Sequence, residues 1–165
     1  KVLEDNGFDV VMTRNKDEIL NEGGKFSKVG DLNKRCSIIN NTYQINSNSI
    51  MISIHQNSFP DASISGPQVF YFEQSKEGAE IASVLQESLN SSLNPPKPRA
   101  CKANDDYYIL KKTPTPTVIV ECGFLSNETE AQQLTDESYQ EKLARAIYTG
   151  AWNYLTSSAT SVSTE

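Results

Sequence analysis

Ile50-Met51-Ile52-Ser53-Ile54-His55-Gln56-Asn57 sets the fold class. Its first five positions are nearly continuous in apolar residues, the pattern of a strand buried on both faces. It closes on His55, the one histidine of the chain. A second run of the same character, Thr117-Val118-Ile119-Val120, closes on Glu121-Cys122-Gly123. Two such strands imply helices on both sides of a sheet. Sheets of that kind bind ligands at the carboxyl ends of their strands.

Working outward, helices and strands alternate. Residues 76–93 read as an amphipathic helix with Ile81, Leu85, Leu89 and Leu93 in one stripe. Asn94-Pro95-Pro96-Lys97-Pro98 ends it. Val69-Phe70-Tyr71-Phe72 reads as a further strand, and Phe59 to Gly66 as the loop before it. Tyr107-Tyr108-Ile109-Leu110 reads as a short strand. Upstream, Asp31 is expected to cap a helix carrying Leu32, Cys36, Ile39 and Tyr43, with Asn46 to Ser49 breaking it. Residues 18–30, holding Gly23, Gly24 and Gly30, read as a loop, and Phe8-Asp9-Val10-Val11-Met12 as a strand. Lys1 to Gly7 reads as the last turn of a helix with Gly7 past its end. The chain is therefore expected to open inside an element.

Two capping boxes follow the last strand. One is Asn127 with Glu130, the other Ser138 with Glu141. The second is expected to open a helix with Tyr139, Leu143, Ala146, Ile147, Gly150, Ala151 and Tyr154 on its packed side. The expectation is one α/β domain over residues 1–155, a mostly parallel central sheet flanked by helices. The polar tail, residues 156–165, is expected to be disordered.

Composition narrows the function. The chain has 165 residues, with 15 Lys+Arg against 21 Asp+Glu and a net charge of −6. An acidic domain without a basic cluster is a poor partner for nucleic acid. No run approaches the roughly 20 apolar residues of a membrane span. Three separated cysteines, Cys36, Cys101 and Cys122, make neither a disulfide framework nor a thiolate zinc knuckle.

The chemistry concentrates at two strand ends. If the strands run parallel, His55 and Glu121 share one rim. An imidazole and a carboxylate there suit a metal ligand and a general base. The same residues equally suit a hydrogen-bonded rim histidine and a salt-bridge partner. Cys122 as a thiol nucleophile, with His55 as base, is disfavoured by geometry. Neighbours along a strand point to opposite faces unless the strand bulges. Arg14 most simply pairs with Asp17. Arg99 and Lys102 meet either an anionic substrate group or solvent. Tyr107 and Tyr108 suit a core or a groove wall alike.

Five segments in order carry a resemblance. They are Val11-Met12-Thr13-Arg14 with Asp17, then Asp31 through Arg35 to Asn40, then Ser53-Ile54-His55-Gln56-Asn57-Ser58. After these come Gly66-Pro67-Gln68-Val69-Phe70-Tyr71 and Val120-Glu121-Cys122-Gly123-Phe124-Leu125-Ser126-Asn127. The series resembles the zinc-dependent N-acetylmuramoyl-L-alanine amidases of the Amidase_3 type, from residue 1 to about 155. Within them it is most similar to the sporulation amidases of Bacillus and Clostridium, through Lys97-Pro98-Arg99, Lys102 to Asp105 and Tyr108 to Lys112.

The resemblance implies a Zn2+ cofactor, with His55 as one zinc ligand and Glu121 as the catalytic carboxylate. It implies substrate contact at Asn57, with Arg99 and Lys102 as further candidates. It also implies a first strand and most of a first helix upstream of residue 1, carrying the remaining His and Glu ligands. The implied reaction is hydrolysis of the amide between N-acetylmuramic acid and L-alanine in peptidoglycan, in spore cortex on the way to muramic-δ-lactam. That chemistry implies an extracytoplasmic location and leaves room for a regulatory protein partner. The alternatives are a non-catalytic peptidoglycan-binding domain with an incomplete metal site, and a cysteine hydrolase using Cys122.

Overall fold

The computed structural model describes residues 1–20 and 27–162, with side chains through Ser157. The elements in chain order are α1 (Val2–Asp5), α2 (Lys28–Ile45), β1 (Met51–Asn57), β2 (Gln68–Tyr71) and α3 (Lys76–Leu93). They continue with β3 (Lys102–Ala103), α4 (Tyr108–Lys112), β4 (Thr117–Phe124), α5 (Glu128–Thr135) and α6 (Glu137–Val162). The strands form one sheet in the order β1-β4-β2-β3. The β1–β4 and β2–β3 ladders are parallel, and β2 runs antiparallel to β4. The α/β expectation holds, and the sheet is parallel in two of its three ladders.

Side chains of β4 alternate between two helical layers. Val118, Val120 and Cys122 join Val69, Ile81, Leu85, Leu89, Leu143, Ile147 and Tyr154 in a core built with α3 and α6. Ile119 and Phe70 face the other way, onto Cys36, Ile39, Ile109 and Leu110 of α2 and α4. All eight positions of β4 are buried. Its near-continuous apolar run is what a central strand under two layers requires.

Several local expectations hold. Helix α1 ends as read, in a Schellman arrangement: Phe8 N–H donates to Leu3 O and Gly7 N–H to Glu4 O, with Gly7 at φ 83°. Helix α3 spans the residues expected of it, and Asn94 closes it in the left-handed region. Asn127 caps α5 by accepting from the Glu130 N–H.

Others are corrected. Phe8–Met12 is not a strand: among the described residues it has no ladder partner, and Val11 and Met12 stand exposed. An apolar run becomes a strand only where a neighbouring backbone accepts its hydrogen bonds. Strand β1 is not buried on both faces, because it lies at the sheet edge and Ile54 is 51% exposed. Tyr107–Leu110 is not a strand. Asn104 Oδ1 accepts from the Asp106 and Tyr107 N–H groups, and this Asx turn leads into helix α4.

Two caps also differ. Ser27, not Asp31, caps α2, accepting from the Gly30 N–H. Asp31 instead accepts from Leu20 N–H and from Arg35 Nε. Asp136, not Ser138, opens α6, accepting from Tyr139 N–H and from the Ser138 hydroxyl. The tail is helical as far as Val162, where disorder was expected. Once nucleated by the packed part of α6, the helix propagates one bond per residue through these polar positions, with the Thr156 and Ser157 hydroxyls donating back to the carbonyls of Trp152 and Tyr154. Residues 163–165, and the Gly23–Gly24 part of the expected loop, lie outside the described residues.

Candidate active site

Parallel pairing of β1 with β4 sets His55 directly beside Glu121, after Ser53 beside Ile119. Register partners in a parallel ladder share a face, so imidazole and carboxyl stand side by side on the α2/α4 side of the sheet. On the other flank of β4, Gln68 of β2 is the register partner of Glu121. His55, Glu121 and Gln68 thus form a polar row across three strands. It lies one step beyond the row of Ser53, Ile119 and Phe70.

Glu121 is the unusual member. It is 7% exposed, and its Oε2 is buried without a hydrogen-bond partner among the described residues. Burial alone pushes its carboxyl above the ordinary range. Buried carboxylate oxygens ordinarily find donors, so an orphan of this kind costs stability and calls for a functional reason. The Tyr107 hydroxyl is also held up, by its own burial first and by the Glu121 charge second. Tyr107 packs edge-on against Phe70, with centroids 5.8 Å apart.

His55 is held in place by the same face. Ser53 Oγ lies 2.8 Å from its Nε2. Loss of solvent, and then the guanidinium of Arg35, keep its pKa below the ordinary value. Both effects favour the neutral ring, the form that a metal or a proton requires of it. Arg35 is itself fixed, with Nε 2.7 Å from Asp31 Oδ2 and a second bond to Thr13 Oγ1.

The other candidates are distributed around this row. The Asn57 side chain accepts from the Ser58 N–H, and its carbonyl accepts from the Leu125 N–H at 2.8 Å. Lys102 is exposed on β3, opposite Phe70. Arg99 is committed to protein contacts: it donates to Ser65 O and Gln68 Oε1, and lies 4.9 Å over the Phe124 ring. Arg14 is on the surface, 3.8 Å from Asp17 as expected.

Cys122 is not part of the row. The ladder does shift register between His55 and Asn57, so β4 carries one extra residue there. Even so, Cys122 stays in the α3/α6 core at 4% exposure. Burial, and then the Glu121 charge, push its thiol to about 11. Such a thiol is not a nucleophile at neutral pH.

Sequence reasoning missed Gln68, Arg35 and Ser53 as neighbours of the pair. A polar residue two positions before a strand-end histidine was the one available signal, for Ser53. Gln68 and Arg35 enter only through the pairing of distant segments.

As a zinc site the row is incomplete. His55 offers one imidazole and Glu121 one unpartnered buried oxygen, and both fit a zinc shell. A catalytic zinc normally takes three protein ligands. Among the described residues no three His, Cys, Asp or Glu side chains come together to hold a metal.

Comparison with known proteins supplies the context of this pair. The germination-specific N-acetylmuramoyl-L-alanine amidase of Bacillus subtilis is 35% identical over 158 residues, 93% of this chain and 65% of that protein. This chain thus spans about two thirds of that relative's length. The CwlD amidase of Clostridioides difficile, solved in complex with the GerS lipoprotein, superposes with a TM-score of 0.80 at 38% identity. The match covers 94% of this chain and 79% of that one. An N-acetylmuramoyl-L-alanine amidase of Clostridium difficile 630 superposes at 0.69 with 29% identity, over 76% of this chain and 66% of that one. Residues 1–153 match the profile of the N-acetylmuramoyl-L-alanine amidase family Amidase_3, and the chain belongs to that family.

Proposed function

We propose that the protein hydrolyses the amide between the lactyl group of N-acetylmuramic acid and the L-alanine of the peptidoglycan stem peptide. One observation carries the reading: a buried carboxyl with an unpartnered oxygen, Glu121, in register with His55 on an open rim. Membership of the amidase family supports it. Zinc, when bound, supplies Lewis acidity and a more acidic water.

His55 serves as one ligand, its ring held by Ser53. The remaining ligands come from outside the described residues. Glu121 takes a proton from the attacking water and delivers it to the leaving amine of L-alanine. Its raised pKa makes it a better base than an exposed glutamate once ionised. In this reading Asn57, at the end of β1, and Lys102, exposed on β3, contact the substrate. Arg99 braces Gln68 and the loop before β2 rather than meeting substrate, since its Nε and Nη1 donate to Ser65 O and Gln68 Oε1.

The name of the Bacillus relative supports a role in germination, and we place the substrate in spore cortex, on the way to muramic-δ-lactam. Action is then extracytoplasmic. No helix among the described residues is long and apolar enough to cross a membrane. The solved complex of the Clostridioides enzyme with a lipoprotein supports a protein partner here as well.

The test uses the full-length protein on purified peptidoglycan. Mass spectrometry of the products is expected to show stem peptides with a free L-alanine amine. Elemental analysis of the same sample is expected to give about one zinc per chain. Glu121→Gln is expected to stop release while leaving binding intact. Binding without release by the zinc-loaded wild type would instead mean a non-catalytic peptidoglycan-binding domain. Release that survives chelation and vanishes in Cys122→Ala would mean a cysteine hydrolase.

A further inference from the structure

We propose that Glu130 is a positioning residue: its carboxylate locks the bulge that follows Glu121 to the loop that leads into β2. This rests on the amidase reading above.

Glu130 is the third residue of α5, and in a capping box its side chain would return to the N–H of the cap residue. It does not. The Asn127 N–H donates instead to Phe124 O, and the Glu130 carboxylate turns inward to 8% exposure. There each oxygen accepts one backbone bond. Oε1 takes the Gly66 N–H at 2.8 Å and Oε2 takes the Phe124 N–H at 2.8 Å.

Those two amides flank the catalytic row. Phe124 is where β4 rejoins register with Asn57 after its extra residue, three positions past Glu121. The next amide, Leu125 N–H, donates to Asn57 O. Gly66 stands at φ 96°, two residues before Gln68, the other register partner of Glu121. One carboxylate therefore ties the chain three residues after Glu121 to the chain two residues before Gln68.

The approach is close by construction. A Cβ built on Gly123 would lie 3.4 Å from both the Glu130 carboxyl carbon and its Oε2. That is the near edge of van der Waals contact, so the carboxylate packs directly against the Gly123 backbone on its way to the Phe124 amide. The β2 loop has further support that does not involve Glu130. Gln86 accepts from Val69 N–H and donates to Pro67 O. Removing Glu130 thus frees the bulge and Gly66 while the strand itself stays anchored.

The experiment compares Glu130→Ala and Glu130→Gln with wild type in the full-length, zinc-loaded enzyme, well below each melting temperature. A misplaced base lowers turnover without lowering ground-state binding, so kcat is expected to fall about 10–100-fold with KM within about twofold. Glu130→Gln keeps one acceptor oxygen and is expected to fall between wild type and Glu130→Ala. In metal-free protein, the amide resonances of Gly66 and Phe124 are both expected to move upfield and exchange faster in Glu130→Ala, and one of the two in Glu130→Gln. Unchanged kcat per folded molecule in both variants, with only a lower melting temperature, would overturn the proposal. Should Glu130→Ala fail to fold, Glu130→Gln decides alone. Absence of turnover in the zinc-loaded wild type sinks the amidase reading and this proposal with it; turnover in wild type and undiminished kcat in the variants sinks only the second.

Discussion

Strands β1 and β4 lie side by side, drawn from the same kinds of residue, and have opposite environments. Ile54 and Val120 are register partners in one ladder, yet Ile54 is 51% exposed and Val120 is fully buried. Strand β4 has a partner on each side and helices over both faces. Strand β1 has one partner, and its outer apolar face meets a groove of about 340 Å³, bordered by Val10, Met12, Leu143 and Ile147. The two catalytic candidates divide in the same way. Glu121, on β4, is buried and under-bonded, while His55, on β1, stands on the exposed rim. Position in the sheet, rather than residue type, sets what each strand contributes: one supplies a buried, under-bonded carboxyl, the other an accessible ring.

The largest effect tests the under-bonded carboxyl. Glu121→Gln is expected to lower peptidoglycan hydrolysis by about 10²–10⁴-fold. Its melting temperature should hold or rise, because a buried group without a full set of partners costs stability. A large drop in melting temperature would show that Glu121 is structural, and would erase the contrast with His55.

Core truncation comes next. Leu85→Ala, in the fully buried α3–α6 interface, is expected to cost about 2–5 kcal/mol by denaturant titration. The register pair then gives the direct comparison within one ladder. Val120→Ala should cost about 2–3 kcal/mol, and Ile54→Ala about 0.5 kcal/mol or less in this chain. Equal costs at the two positions would mean that the exposed face of β1 is covered in solution.

A smaller effect probes the anchor behind the site. Asp31 holds both Arg35 and the Leu20 amide, and Arg35 in turn influences His55. Its hydrogen bond to Arg35 holds the Asp31 carboxyl below the ordinary range. A carboxyl lowered in the folded state stabilises above its unfolded pKa and loses that contribution as pH falls through the folded value. Asp31→Asn is therefore expected to cost about 1–3 kcal/mol at pH 7, with the difference from wild type shrinking below about pH 4. Chemical denaturation at both pH values checks it; a gap that persists in acid would reject the ion pair as its source. The smallest effect belongs to the exposed Arg14–Asp17 pair, where Arg14→Ala should change stability by no more than about 0.5 kcal/mol.

Where local chemistry was sufficient, the sequence was readable. The Schellman turn at Gly7, the α3 stripe and its stop at Asn94, and the Asn127 cap each depend on a few adjacent residues. The strand ends at His55 and Glu121 were legible for the same reason, as apolar runs closing on chemically active groups. The reading departs from the structure where a distant strand partner, or a competing cap residue a few positions upstream, decides. The Phe8–Met12 run has strand character and lacks a partner. Tyr107–Leu110 has strand character too, and the Asn104 turn starts a helix there. Ser138 looks like a cap, and Asp136 acts as one.

Sequence by itself determined the α/β layering, the helix stripes and the two strand ends that carry His55 and Glu121, because periodicity and capping act over a few bonds. Tertiary structure alone decided that His55 and Glu121 are neighbours, since a parallel ladder joins segments more than sixty residues apart. It also decided that Glu130, which reads as half of a local capping box, serves instead as a buried tie between two backbones. A buried carboxylate takes whichever donors the packed chain brings to it, and those donors are known only once the distant strands have met.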